Sequence, residues 1–196
     1  MQQSNFNNNL SLKNGEISYH QNIFSKNDAN TNFYHLLKET NWKQDIITVF
    51  GKKHLQPRLT ALYGEKPYSY SNLKMTPEPF TPFLLNIKNK VEELSNSNFN
   101  VCLLNLYRDG NDSNGWHSDN ESSLGKNPTI ASLSFGQDRY FYLRNIQNKK
   151  LKYKLLLEHN SLLIMEGQIQ HFWQHQIPKT KQKIEARINL TFRTII

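Results

Sequence analysis

The chain has 196 residues, 37% of them hydrophobic, and its 24 Lys and Arg outnumber its 16 Asp and Glu to give a formal net charge of +8. This length fits one globular domain, and no run of about 18 apolar residues occurs, so a membrane-spanning helix is not expected. The single cysteine, Cys102, excludes a disulfide framework and a cysteine-based zinc cluster. The start of the chain shows no secretory signal. Together with the low cysteine count, this predicts a reducing intracellular compartment: the nucleus in a eukaryote or the cytoplasm in a bacterium.

The N-terminal half contains the predicted helices. Residues 1–30 are rich in Asn, Gln and Ser and are expected to form a partly flexible lead-in. Two segments, 29–40 and 81–95, repeat apolar residues at helical spacing and predict amphipathic helices. The apolar positions are Phe33, Leu36 and Leu37 in the first segment and Phe83, Leu84, Ile87, Val91 and Leu94 in the second.

From residue 98 onward the pattern is typical of strands. Short β-rich runs are separated by Gly, Asn, Asp and Pro, and no helical pattern of useful length lies between them. The chain is therefore predicted to be mainly β with N-terminal helices (α+β). Its second half is an antiparallel sandwich or jelly roll, and the helices cover an outer sheet face.

Basic residues cluster in two regions that connect or flank these strands. The clusters are Arg144, Lys149, Lys150, Lys152 and Lys154, then Lys179, Lys181 and Lys183. An excess of Lys and Arg favours polyanionic partners, nucleic acid first and acidic membranes second. The alternative is a basic soluble protein with no such partner.

The last strand places four polar residues on one face. Period-two alternation separates them from an apolar face formed by Ile188, Leu190 and Phe192. The polar residues are Arg187, Asn189, Thr191 and Arg193. Two arginines interleaved with Asn and Thr favour the wall of a cavity for anions over a solvated face.

Asn105 and Tyr107 end an otherwise apolar strand on the face shared with Val101 and Leu103. Two interpretations remain open from the residues alone. The pair caps the end of the strand, or it supplies hydrogen-bonding groups at the mouth of a cavity.

His117 and Asp119 lie two positions apart in the loop "NGWHSDNESS". In extended backbone, residues i and i+2 point the same way and reach one ion, although a plain solvated turn has the same pattern. A third ligand would come from His159, His171 or His175. Two histidines and one carboxylate would form the facial triad of non-heme Fe(II) oxygenases.

The segments "NLYRDG", "WHSD", "IASLSFG", "HNSLLIMEG", "QHQIP" and "ARINLTFR" follow one another along the chain. In order and spacing they resemble the AlkB family of Fe(II)/2-oxoglutarate-dependent nucleic-acid dealkylases. Upstream, "VFGKKHLQPRLTALYGEKPYSY" is similar to the branch that repairs alkylated double-stranded DNA. The resemblance implies a double-stranded β-helix (jelly-roll) dioxygenase core over 99–196, preceded by a nucleotide-recognition segment over 31–98.

By this resemblance, His117, Asp119 and His175 match the iron ligands. His171 is a competing histidine, but the twelve-residue step from His175 to Arg187 matches the family. The residues matched to 2-oxoglutarate binding are Asn105, Tyr107, Arg187, Asn189, Thr191 and Arg193. Arg187 is expected to hold the distal carboxylate, because a guanidinium binds a carboxylate through two hydrogen bonds.

The resemblance also implies contacts to the nucleic acid. Glu121 matches an acidic residue that hydrogen-bonds the flipped base, and Phe50 matches an apolar finger that fills the gap left behind. The alternatives are a solvated loop glutamate and a turn aromatic packed on the core. Tyr70 matches a pocket tyrosine, while Lys52 and Arg58 fall where the DNA backbone would be contacted. The stretch "SYSNLKM" departs from the family's usual pocket loop.

The resemblance thus implies a monomeric DNA repair enzyme with no membrane partner. It would demethylate 1-methyladenine and 3-methylcytosine with Fe(II), 2-oxoglutarate and O2. The expected partner is alkylated DNA, double-stranded or single-stranded. The alternatives are an RNA N-methyl demethylase of the same family, a 2-oxoglutarate-dependent hydroxylase that acts on no nucleic acid, and a non-catalytic DNA-binding module.

Overall fold

The computed structural model describes residues 8–12, 14–49, 51–70 and 73–196. The elements of the first half are β1 (Asn8–Leu12), β2 (Gly15–Gln21), α1 (Lys26–Glu39), β3 (Ile46–Val49), β4 (Lys52–Leu55), β5 (Leu59–Gly64), β6 (Tyr68–Tyr70), β7 (Leu73–Met75) and α2 (Pro82–Ser95).

The second half is built almost entirely of strands. Its elements are β8 (Val101–Tyr107), β9 (Asn114–His117), a 3-10 turn (Ser122–Leu124), β10 (Ile130–Gly136), β11 (Arg139–Asn145), β12 (Lys152–Leu157), β13 (Ser161–Glu166), α3 (Ile169–Phe172), β14 (Trp173–Ile177) and β15 (Arg187–Arg193).

The strands form two main antiparallel sheets. The larger sheet has the order β1-β2-β13-β10-β15-β8-β5, and the smaller one has the order β12-β11-β14-β9. Two hairpins, β3–β4 and β6–β7, pair separately from both. The predicted class, mainly β with N-terminal helices and a jelly-roll core, is confirmed.

Two apolar layers hold this arrangement together. One lies between the sheets and includes Leu103 of β8 and Phe141 of β11. The other lies between the larger sheet and the helices, and contains Leu36 of α1 and Val91 of α2. The apolar residues of β15 face this second layer, as the alternation predicted; they are Ile188, Leu190 and Phe192.

Both predicted helices are present, with starts set by capping side chains. Ser25 Oγ accepts from the Asp28 backbone N–H at 3.1 Å, so α1 begins three residues earlier than the apolar spacing indicated. Thr81 caps α2 in the same way through the Leu84 N–H, and Pro82 fills the first helical position. Within the described ranges, no helix combines the length and apolarity that a membrane crossing requires.

The expectation of a partly flexible lead-in over residues 1–30 is wrong for residues 15–30. Strand β2 pairs with β13 over its central length, and its Ile17 and Tyr19 are buried between the sheets. Two apolar residues at period two are enough to anchor a strand when a neighbouring edge receives it. The predicted boundary at residue 30 falls inside α1, so the helix continues across it.

Candidate metal centre and its cavity

A polar cavity lies between the two sheets and is partly open to solvent. Strands of both sheets contribute to its wall. All nine residues that the sequence matched to metal or cosubstrate line it: Asn105, Tyr107, His117, Asp119, His175, Arg187, Asn189, Thr191 and Arg193. Period-two alternation explains this convergence, because the polar face of each strand turns inward at the same level.

His117, Asp119 and His175 form a compact cluster in this cavity. Each offers one ligand atom, and these atoms all lie within 4.8 Å of one another. His117 ends β9 and faces His175 of β14 directly across the strand pair. His171 lies outside the cluster, because its Nε2 contacts Asn127 Oδ1 at 3.1 Å on the surface. Of the competing histidines, the structure therefore brings His175 to the predicted pair.

The protonation states in the cluster suit a metal. Burial, followed by the neighbouring His117 ring, lowers the pKa of His175 to about 3, and burial also lowers the pKa of His117. For Asp119, burial opposes ionisation, but the Arg193 guanidinium and the two imidazoles outweigh it and lower the pKa to about 2. Neutral imidazoles and an ionised carboxylate are the forms that coordinate a cation.

Hydrogen bonds outside the cluster fix the orientation of His117. Its Nδ1 lies 2.7 Å from the Gly115 carbonyl oxygen, so Nδ1 carries the proton and donates. The Nε2 lone pair is then available inside the cavity, where it accepts from Asn114 Nδ2 at 3.2 Å. Metal-binding histidines are commonly oriented in this way.

Asp119 is held by two buried residues. Arg193 Nη2 donates to both carboxylate oxygens at 3.0 Å, and the backbone N–H of Asp119 donates to Gln170 Oε1 at 2.9 Å. Gln170 is fully buried on α3. The sequence did not reveal Gln170, because α3 is only four residues long and shows no periodicity.

Arg187 is the most unusual charge in the cavity. It is 1% exposed, and its Nη2 donates to Ser134 Oγ at 2.9 Å. Its Nε and Nη1 are buried without a hydrogen-bond partner among the described residues. Burial, with a further contribution from Arg139, lowers its pKa to about 10, so it stays protonated at neutral pH. A buried guanidinium with two unsatisfied donors is suited to receive a carboxylate.

Arg139 is a second arginine close to Tyr107, and it was missed by the sequence analysis. Its guanidinium carbon is 5.6 Å from the Tyr107 ring centroid, and that of Arg187 is 5.3 Å away. Unlike Arg187, Arg139 is satisfied by the carbonyl oxygens of Asp109, Asp112 and Pro178. The available signal was its strand phase, which places a charged residue on the same face as Phe141 and Leu143.

A chain of hydrogen bonds crosses the cavity wall from strand to strand. Arg58 Nε donates to Asn105 Oδ1 at 2.7 Å, and Asn105 Nδ2 donates to Asn189 Oδ1 at 3.3 Å. Thr191 Oγ1 and Ser132 Oγ extend the chain on either side of Asn189. Asn189 and Asn105 are register partners in β15 and β8, which explains why they meet. The hydrogen-bonding interpretation of Asn105 is therefore the one that the structure favours.

Arg58, which the sequence matched to a DNA-backbone contact, lies in the cavity wall and not on an exposed surface. Arg58 is 3% exposed and lines the cavity, because it lies at the start of β5, which pairs with β8 inside the larger sheet. Its guanidinium donates to Asn105 and to the Ser113 carbonyl oxygen, so a phosphate outside has no access to it.

Of the other predicted nucleic-acid contacts, Lys52 and Glu121 lie among the described residues. Lys52 is exposed on β4, opposite Val49 in the β3–β4 hairpin. Phe50 lies outside the described residues, and so does the side chain of Tyr70 in β6. Glu121 is half-buried immediately before the 3-10 turn, two residues after Asp119.

Comparison with known proteins agrees with this geometry. The model of the 2OG-Fe(II) oxygenase superfamily matches residues 16–193. The chain is 47% identical to bovine and human alpha-ketoglutarate-dependent dioxygenase alkB homolog 3, over 86% and 82% of its own length and 62% and 59% of theirs. It therefore spans about three-fifths of those relatives. Mouse DNA oxidative demethylase ALKBH2 is 36% identical over 89% of this chain and 78% of that protein. The solved structure of OsALKBH1 shares the fold, with a TM-score of 0.68 at 17% identity, covering 95% of this chain and 99% of that one.

Proposed function

The chain belongs to the 2OG-Fe(II) oxygenase superfamily and groups with its AlkB homologues, and we propose that it is a DNA repair enzyme that oxidatively demethylates alkylated bases. Its substrates are 1-methyladenine and 3-methylcytosine, hydroxylated at the N-alkyl group with release of formaldehyde, succinate and CO2. One observation carries the proposal. A His–Asp–His cluster and a buried arginine with two unsatisfied donors share a single cavity.

The donor set fits Fe(II). Two neutral imidazoles and one carboxylate on one side of an ion leave the opposite positions open, as in non-heme iron oxygenases. His117, Asp119 and His175 would hold the metal, with Arg193 orienting the carboxylate and Gln170 fixing the backbone of Asp119. When bound, iron with 2-oxoglutarate and O2 supplies the oxidising chemistry, and the protein contributes position and a dry cavity.

The wall opposite the cluster fits 2-oxoglutarate. Arg187 would hold the distal carboxylate through Nε and Nη1, the two donors that lack a partner. Tyr107 and Asn105 line the same wall. Asn189 and Thr191 hold Asn105 through the hydrogen-bond chain, so these strand residues act on the cosubstrate by keeping its neighbours in position.

The choice of nucleic acid rests on the relatives and on charge. ALKBH2 is named a DNA oxidative demethylase, and the net charge of +8 favours binding to a phosphate backbone. N-methylated adenine and cytosine are cationic and pair poorly, so they leave the stack at lower cost. Phe50 would fill the gap in a duplex, and Glu121 would accept from the exocyclic amine of the extruded base.

The test is formaldehyde release from duplex DNA containing 3-methylcytosine. The expected result is stoichiometric formaldehyde and succinate that depend on both Fe(II) and 2-oxoglutarate. The matched variant is His117→Ala, which removes one ligand but leaves the Arg193–Asp119 pair in place. Parallel reactions on single-stranded DNA and on methylated RNA rank the substrates. Formaldehyde release without 2-oxoglutarate, or full activity in His117→Ala, would contradict the proposal, and faster turnover of the RNA would reassign the substrate.

A further inference from the structure

The smaller sheet has an outer face that the proposed reaction does not use. In β11, Phe141 and Leu143 point into the core, so the alternating Tyr140, Tyr142 and Arg144 point outward. Leu143 pairs with His175 in the neighbouring strand. The outer face therefore lies directly behind the metal cluster, on the opposite side of one sheet.

Aromatic rings and cations are paired on this outer face. Lys154 Nζ lies 3.4 Å from the centroid of the Tyr140 ring and 5.9 Å from that of Tyr142, and the two rings are 6.5 Å apart. On the β9 side, the Arg144 guanidinium carbon lies 4.2 Å from the Trp116 ring centroid. Tyr140 remains 40% exposed, so its ring is accessible to a ligand.

The charged residues that β11 and β12 contribute to this face are all basic. The outward positions of β11 and β12 carry Arg144, Lys152 and Lys154, and these two described strands place no acidic residue among them. The turn that joins the strands adds the exposed Lys149 and Lys150. The first basic cluster seen in the sequence is therefore assembled on a single surface.

A cavity of about 310 Å³ opens at one end of the same face. Tyr140, Tyr142 and Leu156 form its sheet side, and residues 178–184 form the other side. Gln137 and Gln182 contribute amides, while Lys179, Arg139 and Asp138 contribute charge. Asp138 also accepts from the His159 backbone N–H at 2.9 Å. The volume lies at the lower end of the range for small-ligand sites, which is roughly 300–1,000 Å³.

We propose that this outer face binds a single-stranded stretch of the nucleic acid that carries the target base. One base stacks against Tyr140 and Tyr142 at the cavity, and phosphates contact Lys154 and Arg144. Stacked aromatics flanked by cations match the alternation of bases and phosphates along a single strand, whatever the sequence. A protein partner with an apolar surface would leave these cations without a counter-charge, so it fits this face less well. The proposal rests on the proposed function for the identity of the strand, since the target base itself occupies the other cavity.

The experiment compares a trinucleotide with an oligonucleotide of about 20 nucleotides, both containing 1-methyladenine. Only the longer one spans the catalytic cavity and the outer face. Affinity is measured by fluorescence anisotropy and by competition, and turnover by formaldehyde release. For the double variant Tyr140→Ala, Tyr142→Ala, the Kd of the long oligonucleotide is expected to rise about tenfold or more. Both kcat and KM for the trinucleotide stay unchanged.

Two matched variants keep the result interpretable. Tyr34→Ala removes an exposed tyrosine from α1, which covers the larger sheet, and should change neither substrate. Tyr140→Phe, Tyr142→Phe keeps the rings and should restore the affinity for the long oligonucleotide. Lys154→Gln should lower the slope of log K against log salt by about 0.7 for a single strand. Thermal melting of each variant establishes that it is folded.

The outcomes separate this proposal from the proposed function. Unchanged affinity of the Tyr140, Tyr142 double variant for the long oligonucleotide would overturn the outer-face site while leaving demethylation intact. Equal losses on the trinucleotide would also overturn it. Polyglutamate that displaces the oligonucleotide at equal charge concentration would assign the face to an acidic protein partner instead. Binding of single strands through Tyr140 and Tyr142, together with no formaldehyde release from the methylated oligonucleotide, would support the face and contradict the proposed function.

Discussion

Replacing Arg187 by methionine should stabilise the protein while removing its cosubstrate site. Arg187 is a fully buried charge whose Nη2 donates to Ser134, while its Nε and Nη1 have no hydrogen-bond partner in the described structure. A charge in that situation is costly for the folded state unless a ligand compensates it. Methionine fills a similar volume and buries no polar group, so the variant isolates the cost of the charge.

The magnitude follows from the hydrogen-bond inventory. Each unsatisfied buried donor destabilises the folded state by about 1–3 kcal/mol, and the substitution removes this cost. Loss of the hydrogen bond to Ser134 lowers the stability by about 1 kcal/mol. The net expectation for Arg187→Met is a gain of about 1–5 kcal/mol in unfolding free energy. For a chain of this length, each kcal/mol moves Tm by about 2–4 °C. Relief of the repulsion between Arg187 and Arg139 acts in the same direction.

Arg139→Met is the matched control, because Arg139 is an equally buried arginine beside the same tyrosine. Its guanidinium donates to the carbonyl oxygens of Asp109, Asp112 and Pro178, and each charge-assisted bond contributes about 1.5–3 kcal/mol. Arg139→Met should therefore lower Tm, whereas Arg187→Met should raise it. The opposite signs distinguish a ligand-binding arginine from a structural one.

The assay is thermal melting with and without 2-oxoglutarate, with Mn(II) as a redox-inert substitute for iron. At 100 times Kd, the cosubstrate adds about 2.7 kcal/mol to the stability of the wild type. The Arg187→Met variant should gain none of it, and Arg187→Lys, which keeps the charge but loses the planar fork, should gain much less. A strongly lowered Tm for Arg187→Met, or an undiminished shift with 2-oxoglutarate, would refute the assignment.

Three further predictions concern the metal cluster and the nucleic acid. Asp119→Ala should abolish turnover with little loss of DNA affinity in an anisotropy titration, because the carboxylate is buried beside the metal position; full activity would contradict the metal assignment. Gln170→Leu should weaken metal binding about 10–100-fold by calorimetric titration, since Gln170 orients Asp119 without touching the ion, and an unchanged affinity would leave it a packing role only. Phe50→Ala should reduce turnover of duplex substrate more than of single strands, and equal losses on both would remove the finger role.

Much of the candidate site followed from local periodicity. Period-two alternation placed Arg187, Asn189, Thr191 and Arg193 on one face, and all four line the cavity. The i, i+2 spacing placed His117 and Asp119 within reach of one ion, and their potential ligand atoms lie within 4.8 Å of each other. These predictions held because side-chain direction in a strand depends on the backbone alone.

The residues that the sequence misplaced or missed depend on neighbours far along the chain. Arg58 was expected at the surface, but the pairing of β5 with β8 carries it into the cavity. Gln170 became relevant only because α3 packs its side chain against the Asp119 backbone. The strand β2, hidden in a polar stretch, is held by its partner β13 rather than by its own composition.

The sequence by itself determined the class of fold, the spacing of the candidate metal ligands His117 and Asp119 and the polar face of β15, since each is encoded in the alternation of neighbouring residues. Only the tertiary structure distinguished Arg187 from Arg139. Both are buried arginines in strands, but the loop carbonyls around Arg139 satisfy it, whereas two of the Arg187 donors face the cavity without a partner. Whether a buried charge is structural or awaits a ligand depends on which distant groups surround it, and local sequence does not specify those groups.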